Sequence, residues 1–296
     1  MRTHAFRIAC LIAVAAPAVM AQTATTLEKV KSSGTIAVAY RESSIPFSYL
    51  DDKAQPTGFG WEICGRIVDA VKKATGRADL KVQTQAVTSA NRIPLLQNGT
   101  IDIECGSTTN NAERQKQVAF ATNYFYTGTR FLVKAGAPVK SLDDLKGKPV
   151  VSTTGTTNFR VIRNLNEERK LGIELMGAKD HAESALMVQT GRAFAFAMDD
   201  ILLYGLRASA ANPADFSVVG EAIQVEPYAI MLRRDDPAFK KLVDDTIAGL
   251  MKSGDFEQLY RKWFESPIPP KGIILNAPMS QELRDNLKNL SDKPAT

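Results

Sequence analysis

Apolar and polar positions along this chain switch repeatedly between two periods. Residues 34–40 alternate, with Ile36, Val38 and Tyr40 on one side, and predict a first strand. Residues 61–74 carry Ile63, Ile67, Val68 and Val71 at helical spacing. A second strand follows over 81–87 and a short helix over 91–97, ended by Asn98 and Gly99. Ile101, Ile103 and Cys105 make a third strand running into the polar stretch 106–111. A helix follows, with Asn110 and Glu113 spaced as a variant of the capping box.

A second cycle begins after 126–129. Residues 131–134 are strand-like, and 142–146 form a helical turn capped by Ser141 and closed by Gly147. The strand 149–152 flows into Thr153-Thr154-Gly155-Thr156-Thr157 and a helix reaching about 170. Asp180 and Glu183 cap another helix, and Phe194, Phe196 and Met198 alternate into a strand ending at Asp199 and Asp200. One more strand is expected over 228–232, then amphipathic helices over 236–251 and 255–264, a proline-rich turn at 267–270 and a polar tail. Strands alternating with helices predict an α/β architecture with mostly parallel sheets. A strand, a Ser/Thr/Gly turn and a helix recur once in each half.

The first 21 residues stand outside this pattern. Arg2 and Arg7 precede an apolar stretch over 8–19, and Val19 and Ala21 put small residues at the −3 and −1 positions of a cleavage site. We read residues 1–21 as a secretory signal peptide, cleaved near Ala21, and expect an exported, periplasmic protein. Of 296 residues 44% are hydrophobic, enough to bury the cores of about two domains. The net charge of +5 falls to +3 without the leader, too mild for a nucleic-acid-binding face.

Beyond the leader one histidine, His181, and two cysteines, Cys64 and Cys105, remain. No His/Cys metal cluster can be built from these, and phosphate-binding and dinucleotide motifs are absent, so neither metal nor cofactor is expected. In an oxidising compartment the two cysteines either pair or stay as separate buried thiols. The two Ser/Thr/Gly turns, 107–109 and 154–157, point to an anion, because helix N-termini present unpaired N–H groups and a positive dipole end.

Several longer stretches resemble a known family: RESSIPFS at 41–48, TSANRIPLLQNG at 88–99, ECGSTTNNAERQ at 104–115, AKDH at 178–181, MDD at 198–200 and WFESPIPPK at 263–271. They are similar to periplasmic glutamate/aspartate-binding proteins, the family 3 solute receptors of ABC importers. The likeness runs in order from about residue 27 to 271. It implies the type II periplasmic-binding-protein fold, two α/β lobes joined by two hinge strands, with residues 22–127 and 228–296 in lobe 1 and 128–227 in lobe 2. It also implies a monomer that closes over L-glutamate or L-aspartate and is recognised, closed, by a membrane permease.

By the same resemblance, Arg114 takes the ligand's α-carboxylate with help from Thr109 and Thr157. Asp199 and Ser107 take the ammonium. Arg41, Ser89, Arg92 and His181 surround the side-chain carboxylate. Arginine suits a buried carboxylate because its planar fork donates two parallel hydrogen bonds. Three arginines against one aspartate leave the set at +2, a surplus that favours an acidic side chain. Each residue also has an ordinary alternative: Arg41 and Arg114 as solvated charges, Ser107 and Thr157 as caps, His181 as a surface residue. Asp199 and Asp200 could cap the following helix, and Asp200 reads best as that cap. An exported enzyme of the same fold, dehydratase-like, is the main competing class, with His181 and Asp199 or Glu42 as its acid and base.

Overall fold

The structure, a computed structural model, describes residues 24–295; the leader and its cleavage point lie outside the described residues. Thr25 forms a capping box with Glu28 and opens α1 (Thr26–Ser33), a helix that the hydrophobic pattern did not announce. Then come β1 (Thr35–Tyr40), a small antiparallel sheet of β2 (Ser43–Ser44), β3 (Ser48–Leu50) and β4 (Pro56–Thr57), and α2 (Phe59–Thr75). Helix α2 buries Ile63, Ile67, Val68 and Val71, as their spacing predicts.

β5 (Lys81–Ala86), α3 (Arg92–Gln97), β6 (Ile103–Glu104), α4 (Ala112–Gln115) and β7 (Ala119–Phe120) complete the first cycle. β6 is shorter than the alternation suggests. Just before it the Asp102 N–H still donates to the Ala37 carbonyl at 2.8 Å, but the Ala37 N–H goes to the Asp102 side chain, Oδ2, at 2.9 Å. Helix α4 is a single turn, and Asn111 rather than Asn110 caps it by accepting the Arg114 N–H. Asn110 is buried and donates instead to Asn123 and to the Asp292 carbonyl.

β8 (Phe125–Lys134) runs ten residues, four of them paired with the later strand β13. After a 3₁₀ turn (Leu142–Leu145) come β9 (Pro149–Thr153), α5 (Thr157–Arg169), β10 (Glu174–Ala178), α6 (His181–Gln189), β11 (Ala195–Asp199), α7 (Asp200–Ser209) and β12 (Phe216–Val219). The strand expected over 228–232 is two strands, β13 (Val225–Tyr228) and β14 (Met231–Leu232). Between them the chain leaves β8 and joins the first sheet beside β6 and β7. α8 (Pro237–Ser253) and α9 (Asp255–Tyr260) follow, and a wider π-type turn over Arg261–Glu265 replaces the last part of the expected helix. The polar tail holds α10 (Gln281–Asn289).

The main sheets have the orders β5-β1-β6-β14-β7 and β10-β9-β11-β8-β12. In each, three parallel strands stand in the order second–first–third, followed by a strand arriving from the other half and then the last strand. Each sheet with its helices makes one lobe, and β8 and β13 pass antiparallel between them. Phe47 lies at the centre of the apolar junction, edge-on to Phe59, Tyr124, Phe125, Tyr228 and Phe264. Cys64 of α2 is disulfide-bonded to Cys105, with Cα atoms 5.9 Å apart, which settles the choice the sequence left open.

Candidate ligand-binding site

In a sheet of order second–first–third, a crevice opens beyond the carboxyl ends of the parallel strands, where connections leave in opposite directions. All nine residues singled out from the sequence sit there. Arg41 follows β1; Ser89 and Arg92 follow β5; Ser107, Thr109 and Arg114 follow β6. In the facing lobe Thr157 follows β9, His181 follows β10 and Asp199 ends β11. All nine are buried, His181 at 1% exposure, so the surface alternatives for Arg41, Arg114 and His181 fall away.

Seven of the nine (Ser89, Arg92, Ser107, Thr109, Thr157, His181 and Asp199) line one small cavity, alongside Thr156, Asn158, Met198 and Leu202. Arg41 and Arg114 stand against this wall. Arg41 Nη2 donates to Ser89 Oγ at 2.9 Å and lies 3.4 Å from His181 Nε2 in the other lobe. Arg114 Nη1 donates to the Thr109 carbonyl at 2.9 Å and Nη2 to the Gly155 carbonyl, across the cleft, at 3.1 Å. Arg92 makes only a long contact, 3.5 Å, to the Ser107 carbonyl. Arg41 Nη1, Arg92 Nε and Ser107 Oγ are buried without a protein partner. Buried donors of this kind are costly until an acceptor reaches them.

Burial pushes the guanidinium of Arg41 down to about 9, assisted by repulsion from Arg92. Arg114 is brought to about 10 in the same way, and Arg92 is lowered as well, by burial. All three remain cations at neutral pH. His181 is held well below its ordinary value, by burial first and then by Arg41 and Arg92, so its imidazole is neutral. Asp199 is lifted well above the usual carboxylate range by burial and by the nearby charge of Glu226. Tyr228 donates to one of its oxygens, and Asn158 to the other at 2.7 Å. Asp200 is the first residue of α7 rather than its cap, the N-cap position falling to Asp199; its side chain accepts from the Ile201 N–H and from the Thr127 hydroxyl.

Four participants escaped the sequence reading: Asn158, Tyr228, Glu104 and Glu226. The two glutamates change the charge balance. Glu104 is fully buried, accepts from Thr108 at 2.5 Å and keeps its other oxygen unpaired, attracting both Arg41 and Arg92. Glu226 is fully buried on β13, where the Thr109 hydroxyl reaches it at 2.5 Å and the Thr157 hydroxyl also donates to it. The buried set is therefore three arginines against Glu104, Glu226 and Asp199, the last favoured by burial in its protonated form, rather than three arginines against one aspartate. At the Arg41 and Arg92 end, the two cations share the nearby carboxylate of Glu104. Glu104 falls on the polar phase of the alternation Ile101, Ile103, Cys105, as Asp102 does, so nothing local marks it. Helix α4, being one turn, adds little dipole at the first polar turn; hydroxyls and Arg114 supply the donors there, while α5 opens the second turn with thirteen residues.

The family model for bacterial extracellular solute-binding proteins, family 3, matches residues 36–266. The chain is 49% identical to an L-glutamate/L-aspartate-binding protein of Pseudomonas aeruginosa, over 95% of this chain and 94% of that one. It is 50% identical to a glutamate/aspartate import solute-binding protein of Salmonella typhimurium, over 90% and 89%. Among solved structures it is similar to an ancestral arginine-binding protein bound to arginine, with a TM-score of 0.71, 28% identity and coverage of 78% and 98%. It is also similar to an ancestral amino acid-binding protein described as a precursor of cyclohexadienyl dehydratase, with a TM-score of 0.68, 27% identity and coverage of 82% and 100%. The two-lobed fold, the matched span and these relatives place the chain among the bacterial extracellular solute-binding proteins, family 3.

Proposed function

We propose that this protein is an extracytoplasmic receptor for L-glutamate and L-aspartate that delivers them to a membrane ABC importer. The curated relatives above are binding proteins rather than enzymes, and so is this chain. The observation that carries the ligand class is the buried pair Arg41 and Arg92, from which Nη1 and Nε stay unpaired beside a small cavity.

In this reading the side-chain carboxylate accepts from Arg41, Arg92 and Ser89, with neutral His181 alongside. At the other end Arg114, Thr109 and Thr157 hold the α-carboxylate, and Asp199 with Ser107 holds the ammonium. Six of these residues come from the first lobe and three from the second, so a ligand gains its full set of contacts only when the lobes meet. Binding then shifts the population toward the closed form, which the permease would recognise. We place the lobe boundaries at 127/128 and 227/228, within the paired strands β8 and β13, and read the receptor as a periplasmic monomer released by cleavage near Ala21.

The test is titration calorimetry on protein unfolded and refolded to strip carried-over ligand, with glutamate, aspartate, glutamine and asparagine in turn. One-to-one binding of the acids and much weaker binding of the amides is expected. Absence of binding by all four would overturn the reading.

A further inference from the structure

Glu226 occupies the hydrogen bonds that the proposed site reserves for its ligand. Its Oε2 accepts from the hydroxyls of Thr109, in the first lobe, and Thr157, in the second. Gln224 Nε2 donates to the other oxygen, Oε1. A hydroxyl has one proton to donate. Both protons assigned above to the ligand's α-carboxylate are therefore spent on a carboxylate of the protein's own strand β13. The Arg114 guanidinium is already attracted by Glu226, so an incoming α-carboxylate meets a carboxylate standing in the place it would take.

We propose that Glu226 is an internal substitute for the ligand's α-carboxylate, which an incoming amino acid displaces from Thr109 and Thr157. The inference rests on the ligand reading above. The two hydroxyls belong to different lobes and Glu226 to a strand between them, so the contest takes place where the lobes meet. Affinity is then a difference between two carboxylates competing for the same protons, and Glu226 sets it without contributing a contact of its own to the bound state.

Calorimetry on stripped Glu226→Gln, Glu226→Ala and Gln224→Ala tests this. Charge-assisted hydrogen bonds are roughly twice as strong as neutral ones, so Glu226→Gln should tighten both glutamate and glutamine by about tenfold. Glu226→Ala should tighten them at least as much, and Gln224→Ala, which loosens the clasp from behind, somewhat less. Unchanged or weaker binding in the Glu226 variants overturns the proposal; weaker binding would make Glu226 a partner of the ligand's ammonium. A cooperative melt verifies folding, and if neither Glu226 variant folds, Gln224→Ala decides on the same criterion. Wild-type protein that binds no amino acid would defeat the ligand reading itself, a result distinct from a wild type that binds and variants that fail to tighten.

Discussion

Arg41 and His181 meet across the cleft, with the guanidinium Nη2 3.4 Å from the imidazole Nε2. One follows a strand of the first lobe and the other opens a helix of the second. His181 Nδ1 lies 2.9 Å from Thr153 Oγ1, which is in turn 3.0 Å from Ser184 Oγ. An arginine N–H can only donate, so Nε2 faces it as an acceptor and the proton sits on Nδ1, donated to Thr153. This tautomer requires a neutral ring, and burial between two arginines maintains one. The ring is thus a fixed acceptor that orients Arg41, and it adds no charge to the site.

That state has a pH signature. The folded-state value of His181 is depressed, so below about 6.5 the unfolded chain binds a proton that the folded one refuses. Stability falls as the pH drops through that point and is flat above it on this account. His181→Gln should remove this loss. Asp199 works in the opposite sense: its raised folded value means that the folded state holds the extra proton, so stability falls as the pH rises above the ordinary carboxylate value. Asp199→Asn should remove that second slope. Melting curves from pH 4 to 8 on the two single variants separate the contributions; parallel profiles for His181→Gln and wild type would overturn the assignment of a neutral histidine.

In the proposed binding mode the arginines divide the ligand between them. Arg114 is fixed at three points, by its capped backbone and by the Thr109 and Gly155 carbonyls, and would take the end that every amino acid shares. Removing one partner of a buried, hydrogen-bonded charge pair costs about 2–5 kcal/mol, or thirtyfold to several thousandfold. Arg114→Ala should therefore abolish binding of glutamate, aspartate, glutamine and asparagine alike. Arg92→Ala should cost glutamate at least tenfold more than glutamine. Calorimetry with the four ligands reads both, and equal losses for glutamate and glutamine in Arg92→Ala would sink the side-chain assignment.

The disulfide gives a third expectation. It closes a loop of 41 residues between α2 and the segment that leads from β6 into Ser107. Loop-closure entropy for that separation is worth about 4 kcal/mol, and measured values for natural disulfides cluster at about 2–4. Cys64→Ser with Cys105→Ser should lower unfolding stability by about 2–4 kcal/mol, read by denaturant titration. Because the first-lobe wall is also held by β1 and β14, ligand affinity should fall less than threefold.

Much of the frame was legible because it follows local rules. Residues 34–40 alternate large and small because Ile36 and Val38 pack into one core cluster while Ala37 and Ala39 are buried on the opposite face, and Ile63, Ile67, Val68 and Val71 repeat at helical spacing because α2 buries that side. Asp180 declared the start of α6 because a side-chain oxygen three residues before a free N–H is a local event. What stayed hidden is nonlocal. The break that divides the expected strand at 228–232 into β13 and β14 leaves no local mark, and α10 buries only Leu283 and Asn286. No local pattern separates buried Arg41 from a surface arginine; the matched motifs pointed to it. Glu104 and Glu226 were missed because a buried carboxylate makes sense only where the fold brings donors to it: Thr108 and two arginines for one, Thr109 and Thr157 for the other.

The last expectation concerns closure without ligand contact. Gly205, on α7 of the second lobe, lies against the first-lobe loop before β3, where an added Cβ would sit 2.5 Å from the Ile45 carbonyl oxygen. Gly155, in the turn before α5, has φ of +78°, and a Cβ there would sit 2.5 Å from the Ala90 Cα. Both obstacles are backbone atoms, which cannot swing aside as a side-chain end would. Overpacking costs typically 1–3 kcal/mol, and here it falls on the closed form, because the two surfaces part when the lobes separate. Gly205→Ala is the cleaner probe, since its backbone is already helical and Gly205 does not line the cavity. Its dissociation constant for glutamate should rise about 5- to 150-fold while the unliganded protein folds normally. Small-angle scattering with saturating glutamate should show less compaction than in wild type. A wild-type dissociation constant with full compaction would mean that the lobes reach their ligand without this contact, and that α7 and the loop at Ile45 meet only incidentally.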